Sequence, residues 1–261
     1  MFAFGETPAR TRDPRHARKV VEREGAVILT GCGTSPDDAV AAAGAVFGGE
    51  LRAVHPPGEL GASGEGPGDR PAIGDDTARP PHTDGSVLGD RQPDYILMSC
   101  AQPPADGGEY FFVDGEAVVD RLAGQRSGRD IVQRLQDVAV DHNPPGSPRS
   151  VAPIIRRTVH GRLVLQRSPY QRPAAESTDH VRDGAMIAAW SDVITIAAGA
   201  APRVRLQPGD IAIVDNYRMM HGREPHEDAE QSTWRVWAWT TAASQLPTGP
   251  RSGDRARTSV D

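Results

Sequence analysis

Residues 80–85 read Pro-Pro-His-Thr-Asp-Gly, and this short stretch decides how the rest of the chain is interpreted. Side chains two residues apart in an extended segment point to the same face, so His82 and Asp84 can converge on one point. The prolines restrict the backbone before the histidine, and Gly85 lets the chain turn away after the aspartate. An imidazole and a carboxylate suit a divalent metal ion, and a second imidazole would complete the site of non-haem Fe(II) oxygenases.

A second stretch, residues 209–223, supplies another imidazole. It opens with a Gly-Asp turn, continues through the apolar run Ile-Ala-Ile-Val, and reaches His221 at the end of a short predicted loop. A further predicted strand, residues 234–240, carries Arg235 fourteen residues after His221. The sequence therefore offers two histidines, one aspartate and one inward-facing candidate cation on widely separated segments.

Together these motifs resemble the taurine dioxygenase / clavaminate synthase-like superfamily of Fe(II)- and 2-oxoglutarate-dependent dioxygenases. That superfamily combines His-x-Asp, a long interval, a distal histidine and an arginine shortly after it. The resemblance implies that His82, Asp84 and His221 bind Fe(II), and that Arg235 binds the distal carboxylate of 2-oxoglutarate. A guanidinium suits this task because its planar donors match a carboxylate and it keeps its charge.

The segment Gly-Gly-Glu-Tyr at residues 107–110 resembles the Gly-Gly-Asp/Glu-Thr segment of the same superfamily. Tyr110 stands where the superfamily has a threonine whose hydroxyl bonds a carboxylate of 2-oxoglutarate. A phenol can also donate a hydrogen bond, although it reaches further. The resemblance thus makes Tyr110 a candidate cosubstrate contact, with packing as the alternative.

Many short predicted strands separated by Gly/Pro turns, with few helices, favour a mainly β fold: a jelly-roll core with helices on its outside. The resemblance implies the same, a double-stranded β-helix holding the metal in one mouth. We expect a single domain over residues 1–245 and a disordered tail over 246–261. Residues 55–80 lack periodicity and predict a mobile active-site flap. Helices are predicted at 14–24, 36–47, 115–122, 130–138 and 178–199, and strands at 26–30, 94–101, 109–113, 203–206, 210–214 and 234–240, with a hairpin around residues 160–161.

The implied reaction is the oxidation of a substrate by O₂, coupled to oxidative decarboxylation of 2-oxoglutarate to succinate and CO₂. Related halogenases carry a small residue in place of the carboxylate, so Asp84 favours hydroxylation, while desaturation, epoxidation and ring formation remain open. We expect a small polar substrate, such as an amino acid or a natural-product intermediate. Candidate substrate contacts are Arg223, His142 and Arg167, whereas His226, in a polar loop, is predicted to be a surface residue.

Composition excludes several other classes of function. The 261 residues carry a net charge of −6, so there is no basic footprint for nucleic acid or an acidic membrane. No apolar run reaches the length of a membrane span or a signal peptide. The two cysteines, Cys32 and Cys100, indicate reduced thiols in a cytoplasmic protein. The sequence leaves the oligomeric state open.

Two other functions fit the same residues. One is a jelly-roll binding protein that keeps a vestigial metal site and has no activity. The other is a zinc hydrolase in which the same three ligands hold an ion that activates water.

Overall fold

The computed structural model describes residues 5–55, 78–126, 128–146, 149–226 and 232–247. Within them the α-helices are α1 (Pro14–Glu24), α2 (Pro36–Phe47), α3 (Gly115–Ala123), α4 (Gly128–Asp137) and α5 (His180–Ala200). The strands are β1 (Ala9–Thr11), β2 (Ala26–Leu29), β3 (Leu51–His55), β4 (Arg79–His82), β5 (Tyr95–Gln102), β6 (Tyr110–Asp114), β7 (Val140–Asp141), β8 (Val151–Ala152), β9 (Ile155–Arg157), β10 (Leu163–Leu165), β11 (Arg172–Pro173), β12 (Ile211–Asp215), β13 (Met219–Arg223) and β14 (Ser232–Thr240).

Two sheets form the centre of the molecule. The larger has six strands in the order β1-β2-β12-β5-β14-β3, and the smaller has three in the order β4-β13-β6. Every pairing in them is antiparallel except that of β1 with β2. Two further small sheets, β11-β7-β8 and β10-β9, lie outside this pair.

Alternation along the central strands places one set of side chains between the two sheets and the other set under helices. In β12, Ala212 and Val214 belong to the same apolar cluster as Phe112 of the smaller sheet. The intervening Ile211 and Ile213 pack instead with the apolar residues of α1 and α2. The outer face of the smaller sheet packs in a third cluster with α3, α4 and α5. This arrangement of facing sheets with helices outside confirms the predicted mainly β, jelly-roll architecture with flanking helices.

Local sequence signals fix the helix ends as predicted. The Asp13 side chain accepts a hydrogen bond from Arg15 N at the start of α1, and Gly25 ends that helix with a left-handed conformation at φ 83°. Ser35 and Asp38 form a reciprocal capping box at the start of α2. These signals act within a few residues, which is why the sequence alone locates α1 and α2 correctly.

Two local predictions are wrong. Residues 203–206 do not form a strand, because only Val204 bridges to Tyr110, and that bridge is isolated. His221 does not end a loop: it lies in the middle of β13, paired on one side with β4 and on the other with β6.

The predicted flap falls almost wholly on residues 56–77, and most of the predicted tail on 248–261, outside the described residues. The single-domain boundary at 245 stays a prediction.

None of the described helices combines the length and the apolar character needed to cross a membrane.

Candidate metal centre

The antiparallel pairing of β4 with β13 brings the two predicted histidines together. His82 and His221 are direct register partners, and their ring centroids lie 4.3 Å apart. Asp84 follows two residues after His82, and one potential ligand atom from each of the three residues lies within 4.8 Å of the others. Residues separated by more than half of the chain therefore converge on one point between the sheets.

The donor atoms of these side chains fit a metal ion. Oδ1 of Asp84 lies 3.5 Å from Nε2 of His82 and 3.6 Å from Nε2 of His221. His221 is only 1% exposed, and neither of its ring nitrogens has a hydrogen-bond partner in the described part of the chain. A buried imidazole without a partner is costly, and coordination would satisfy it. His82 Nδ1 lies 2.8 Å from the carbonyl oxygen of Pro80, so a proton on Nδ1 leaves Nε2 free to coordinate.

Charge states in the site also suit metal binding, which requires an ionised carboxylate and neutral imidazoles. Burial opposes ionisation of Asp84, but Arg235 and the two histidines outweigh it and hold the pKa of this carboxyl well below its usual range. Burial, followed by the proximity of His82, lowers the pKa of His221 well below its ordinary value. The structure thus favours an ionised Asp84 and a neutral His221.

The backbone of Asp84 is fixed by Asn216, which lies in the turn between β12 and β13. Asn216 Oδ1 accepts a hydrogen bond of 2.8 Å from Asp84 N, and its Nδ2 donates to Asp84 O at 3.0 Å and to Pro93 O at 2.8 Å. The side chain is completely buried. This asparagine therefore links the turn between β12 and β13, just before the strand of His221, to the segment that carries Asp84.

Arg235 and Trp237 reach the same carboxylate from β14. Arg235 Nη1 lies 3.1 Å from Asp84 Oδ1, and Trp237 Nε1 donates a hydrogen bond of 2.9 Å to Asp84 Oδ2. Residues 235, 237 and 239 alternate onto one face of the strand, and Trp237 and Trp239 belong to the cluster between the sheets. The inward direction predicted for Arg235 agrees with this alternation, but the contact of Trp237 was not predicted.

Next to the triad lies a cavity of about 110 Å³ that opens toward the segment following β10. The side chains that line it include those of Arg79, His82, Asp84, Ser168, Tyr170 and Arg235. Two arginines share this space with two of the candidate metal ligands, His82 and Asp84. The positive charge of the arginines favours binding of an anionic molecule here.

Comparison with known proteins agrees with this geometry. Residues 5–237 match the model of the family described as taurine catabolism dioxygenase TauD, TfdA family. The chain belongs to the TauD/TfdA family. It is therefore an Fe(II)- and 2-oxoglutarate-dependent dioxygenase, and the predicted enzyme class and cofactors are confirmed.

Solved structures share the fold of this TauD/TfdA-family protein at low sequence identity. PvcB from Pseudomonas aeruginosa is 18% identical with a TM-score of 0.58, over 94% of this chain and 87% of that one. An asparagine oxygenase in complex with Fe(II), 3-hydroxyasparagine and succinate is 17% identical with a TM-score of 0.60, over 88% and 78%. The non-haem iron oxygenase OrfP, in complex with Fe and α-ketoglutaric acid, is 15% identical with a TM-score of 0.56, over 88% and 79%.

Tyr110 and Arg223 of this dioxygenase lie opposite each other on paired strands, β6 and β13. The Tyr110 hydroxyl is 3.2 Å from Thr233 Oγ1, on the strand of Arg235. Burial lowers the pKa of Arg223, Tyr110 opposes this shift, and Arg235 adds to it. Neither residue is among those that line the metal cavity, and both stay candidate ligand contacts.

The remaining two predicted substrate contacts lie elsewhere. His142 is completely buried, with Nε2 3.0 Å from Ala152 O and Nδ1 3.2 Å from Gln171 Nε2. Both of its nitrogens are therefore engaged within the protein, and it does not line the metal cavity. Arg167 is 8% exposed and borders a neighbouring cavity against α5.

The prediction that His226 is a surface residue is wrong. It is 4% exposed and packs against the turn formed by Gly107 and Gly108, both of which have positive φ. Its polar neighbours in sequence suggested an exposed loop. The close approach of that glycine turn, which only the folded chain brings near, buries it instead.

Proposed function

We propose that this dioxygenase hydroxylates a small polar molecule, such as an amino acid or a natural-product intermediate. The coupled reaction is the oxidative decarboxylation of 2-oxoglutarate to succinate and CO₂ by O₂. The observation that carries the proposal is the convergence of His82, Asp84 and His221 beside Arg235, next to a cavity of about 110 Å³.

In this proposal the three side chains would hold Fe(II). The bound ion supplies the activation of O₂, while the protein positions the reactants and excludes water. Trp237 and Asn216 orient Asp84 through the hydrogen bonds given above. Arg235 supplies a cation for the distal carboxylate of 2-oxoglutarate. Tyr110, whose hydroxyl contacts Thr233 on the strand of Arg235, and Arg223, the register partner of Tyr110, are further candidate contacts.

The presence of a carboxylate at position 84 supports hydroxylation over halogenation, because a halide needs the space that the side chain occupies. Support for an amino acid substrate comes from structural relatives. One relative was crystallised with 3-hydroxyasparagine and another with (3S)-hydroxy-L-Arg. Residues Arg223, His142 and Arg167 stay candidate substrate contacts, and a cytoplasmic location stays a prediction.

Anaerobic titration tests the oxygenase assignment. Addition of Fe(II) and then 2-oxoglutarate should give a weak visible charge-transfer band in the wild-type protein and none in Asp84→Ala. Asp90→Ala is the matched control, since Asp90 lies on the same segment but is 59% exposed and pairs with Arg156. A band that persists in Asp84→Ala, or never forms in the wild type, would contradict the proposal.

A screen for succinate release across the amino acids tests the reaction and its substrate class. Metal analysis of the protein as purified separates the zinc hydrolase, because that enzyme would retain zinc and release no succinate. Succinate release that depends on added Fe(II) and is accelerated by an amino acid is the expected result.

A further inference from the structure

A second cavity, of about 230 Å³, lies beside the metal cavity and against helix α5. The two cavities share Ser168 and Pro169 in their walls, so a small molecule at the metal can extend toward this space. The lining of the second cavity combines polar and apolar residues. Its lining residues are Arg167, Ser168, Pro169, Gln171, Gly184, Ile187, Ala188 and Ser191.

Two hydrogen bonds join the backbone of Arg167 to the segment that carries two of the candidate metal ligands. Its backbone nitrogen donates a hydrogen bond of 3.1 Å to Thr83 Oγ1, and its carbonyl oxygen accepts one of 2.9 Å from Thr83 N. Thr83 is the residue between His82 and Asp84. This double link fixes the position of Arg167 relative to the candidate metal centre.

The Arg167 side chain is buried without a counter-charge. It is 8% exposed, and its Nη atoms donate only to neutral oxygens, those of Ser168 O at 2.5 Å and Ser191 Oγ at 2.8 Å. Its Nε is buried and has no hydrogen-bond partner within the residues that the structure describes. Among the described residues no carboxylate forms an ion pair with it, and burial alone lowers its pKa.

Arg162, in the same part of the chain, shows how this protein otherwise accommodates such a cation. Arg162 lies 3.1 Å from Asp94 and 2.7 Å from Asp215, so two acids balance one guanidinium. Burying a charge without a partner costs several kcal/mol of folding free energy. A well-placed opposite charge offsets much of this cost. Unlike Arg162, Arg167 has only neutral acceptors among the described residues.

We propose that Arg167 binds a carboxylate of the substrate, and that the substrate is a carboxylic acid such as an amino acid, with its apolar part against Ile187 and Ala188. This inference rests on the proposed function. A guanidinium fork pairs with a carboxylate through two parallel hydrogen bonds, and no carboxylate among the described residues occupies the fork of Arg167. Arg235 lines the metal cavity and Arg167 does not, so the two arginines serve carboxylates of different molecules.

The test uses matched pairs of probes and matched variants. Each L-amino acid is compared with the amine that lacks its carboxylate, and the rate of succinate release is measured with Fe(II) and 2-oxoglutarate present. We expect one or more amino acids, and not their amines, to accelerate the wild-type enzyme. In Arg167→Leu the KM for such an amino acid should rise about 100-fold, as expected for loss of one partner of a buried charged pair. In Arg157→Leu, which alters an exposed arginine on β9, it should not change.

Two further variants separate charge from folding. Arg167→Lys keeps the charge but loses the fork, and should raise the KM about 10-fold. Ser191→Ala removes one hydrogen bond of Arg167 but keeps its guanidinium, and should leave the preference for amino acids over amines intact. The visible band of Fe(II) and 2-oxoglutarate reports the metal centre independently in every variant.

The outcomes distinguish this inference from the proposed function. Absence of the visible band in the wild type would overturn the oxygenase assignment itself. With the band intact, three results would overturn the role of Arg167 alone: amines as effective as amino acids, acceleration by no carboxylate, or an unchanged KM in both Arg167 variants.

Discussion

The indole Nε1–H of Trp237 donates a 2.9 Å hydrogen bond to Oδ2 of Asp84, while Oδ1 of the same carboxylate faces both histidines. The hydrogen bond from the indole holds one oxygen of the carboxylate and thereby orients the other oxygen toward the candidate metal position. Outer partners of this kind fix a ligand in place and tune the affinity of a metal site.

Replacement of Trp237 by Phe should weaken Fe(II) binding by roughly 10- to 100-fold, because the carboxylate would lose its orienting donor. Anaerobic titration with Fe(II) or Co(II) measures the affinity without any need for turnover. Trp239→Phe is a close control: Trp239 is equally buried on the same face of β14, but its Nε1 donates to Arg91 O at 2.8 Å. An equal loss of affinity in both variants would assign the effect to packing.

Replacement of Arg235 by Ala should raise the KM for 2-oxoglutarate by roughly 100-fold, equivalent to about 3 kcal/mol, because a charged partner of the distal carboxylate is lost. The KM for 2-oxobutyrate, which lacks that carboxylate, should change little. Fe(II) affinity, measured by the same titration, should fall much less than in Trp237→Phe. If the variant lost affinity equally for both oxo acids, the anchor of 2-oxoglutarate would lie elsewhere.

The residues of the triad could be predicted because each sits in a short pattern with its own chemistry. His82 and Asp84 are two residues apart on one strand exit, and the interval from His221 to Arg235 matches the family pattern. Helix ends were predictable for the same reason, since Asp13 and Ser35 act on backbone groups within one turn. Local physics and a recurring motif were sufficient for these features.

Contacts across strands could not be read from local sequence. The role of Trp237 depends on its direction on β14 and on how the segment that carries Asp84 packs against this strand. The lack of a counter-charge at Arg167 likewise depends on which residues the fold brings around it. The alternation of side chains along residues 235–239 could have predicted that Trp237 points inward, since Trp237 shares the face of Arg235. Nothing in the sequence links Arg167 to Thr83, because 84 residues separate them.

Replacement of Asn216 by Ala should destabilise the fold by about 3 kcal/mol, because Asp84 N would be buried without an acceptor and two carbonyl oxygens would lose a donor. Urea unfolding measures the change. Gln133→Ala, which removes only an exposed contact with Asp137, should change the free energy of unfolding by less than about 0.5 kcal/mol. A similar small effect in Asn216→Ala would show that the segment carrying Asp84 is held by other contacts.

Folding stability should fall in mild acid because of His142. Burial lowers the pKa of this imidazole from 6.5 to about 4. The unfolded chain therefore binds a proton that the folded protein does not, between these two pH values. The free energy of unfolding is highest, as far as His142 determines it, above about pH 6.5. It falls as the pH is lowered, by up to about 3 kcal/mol near pH 4. Urea unfolding across this pH range should show a flatter profile in His142→Gln than in the wild type. His160→Gln, at an exposed hairpin turn, should keep the wild-type slope, and an identical slope in His142→Gln would exclude this imidazole as the source.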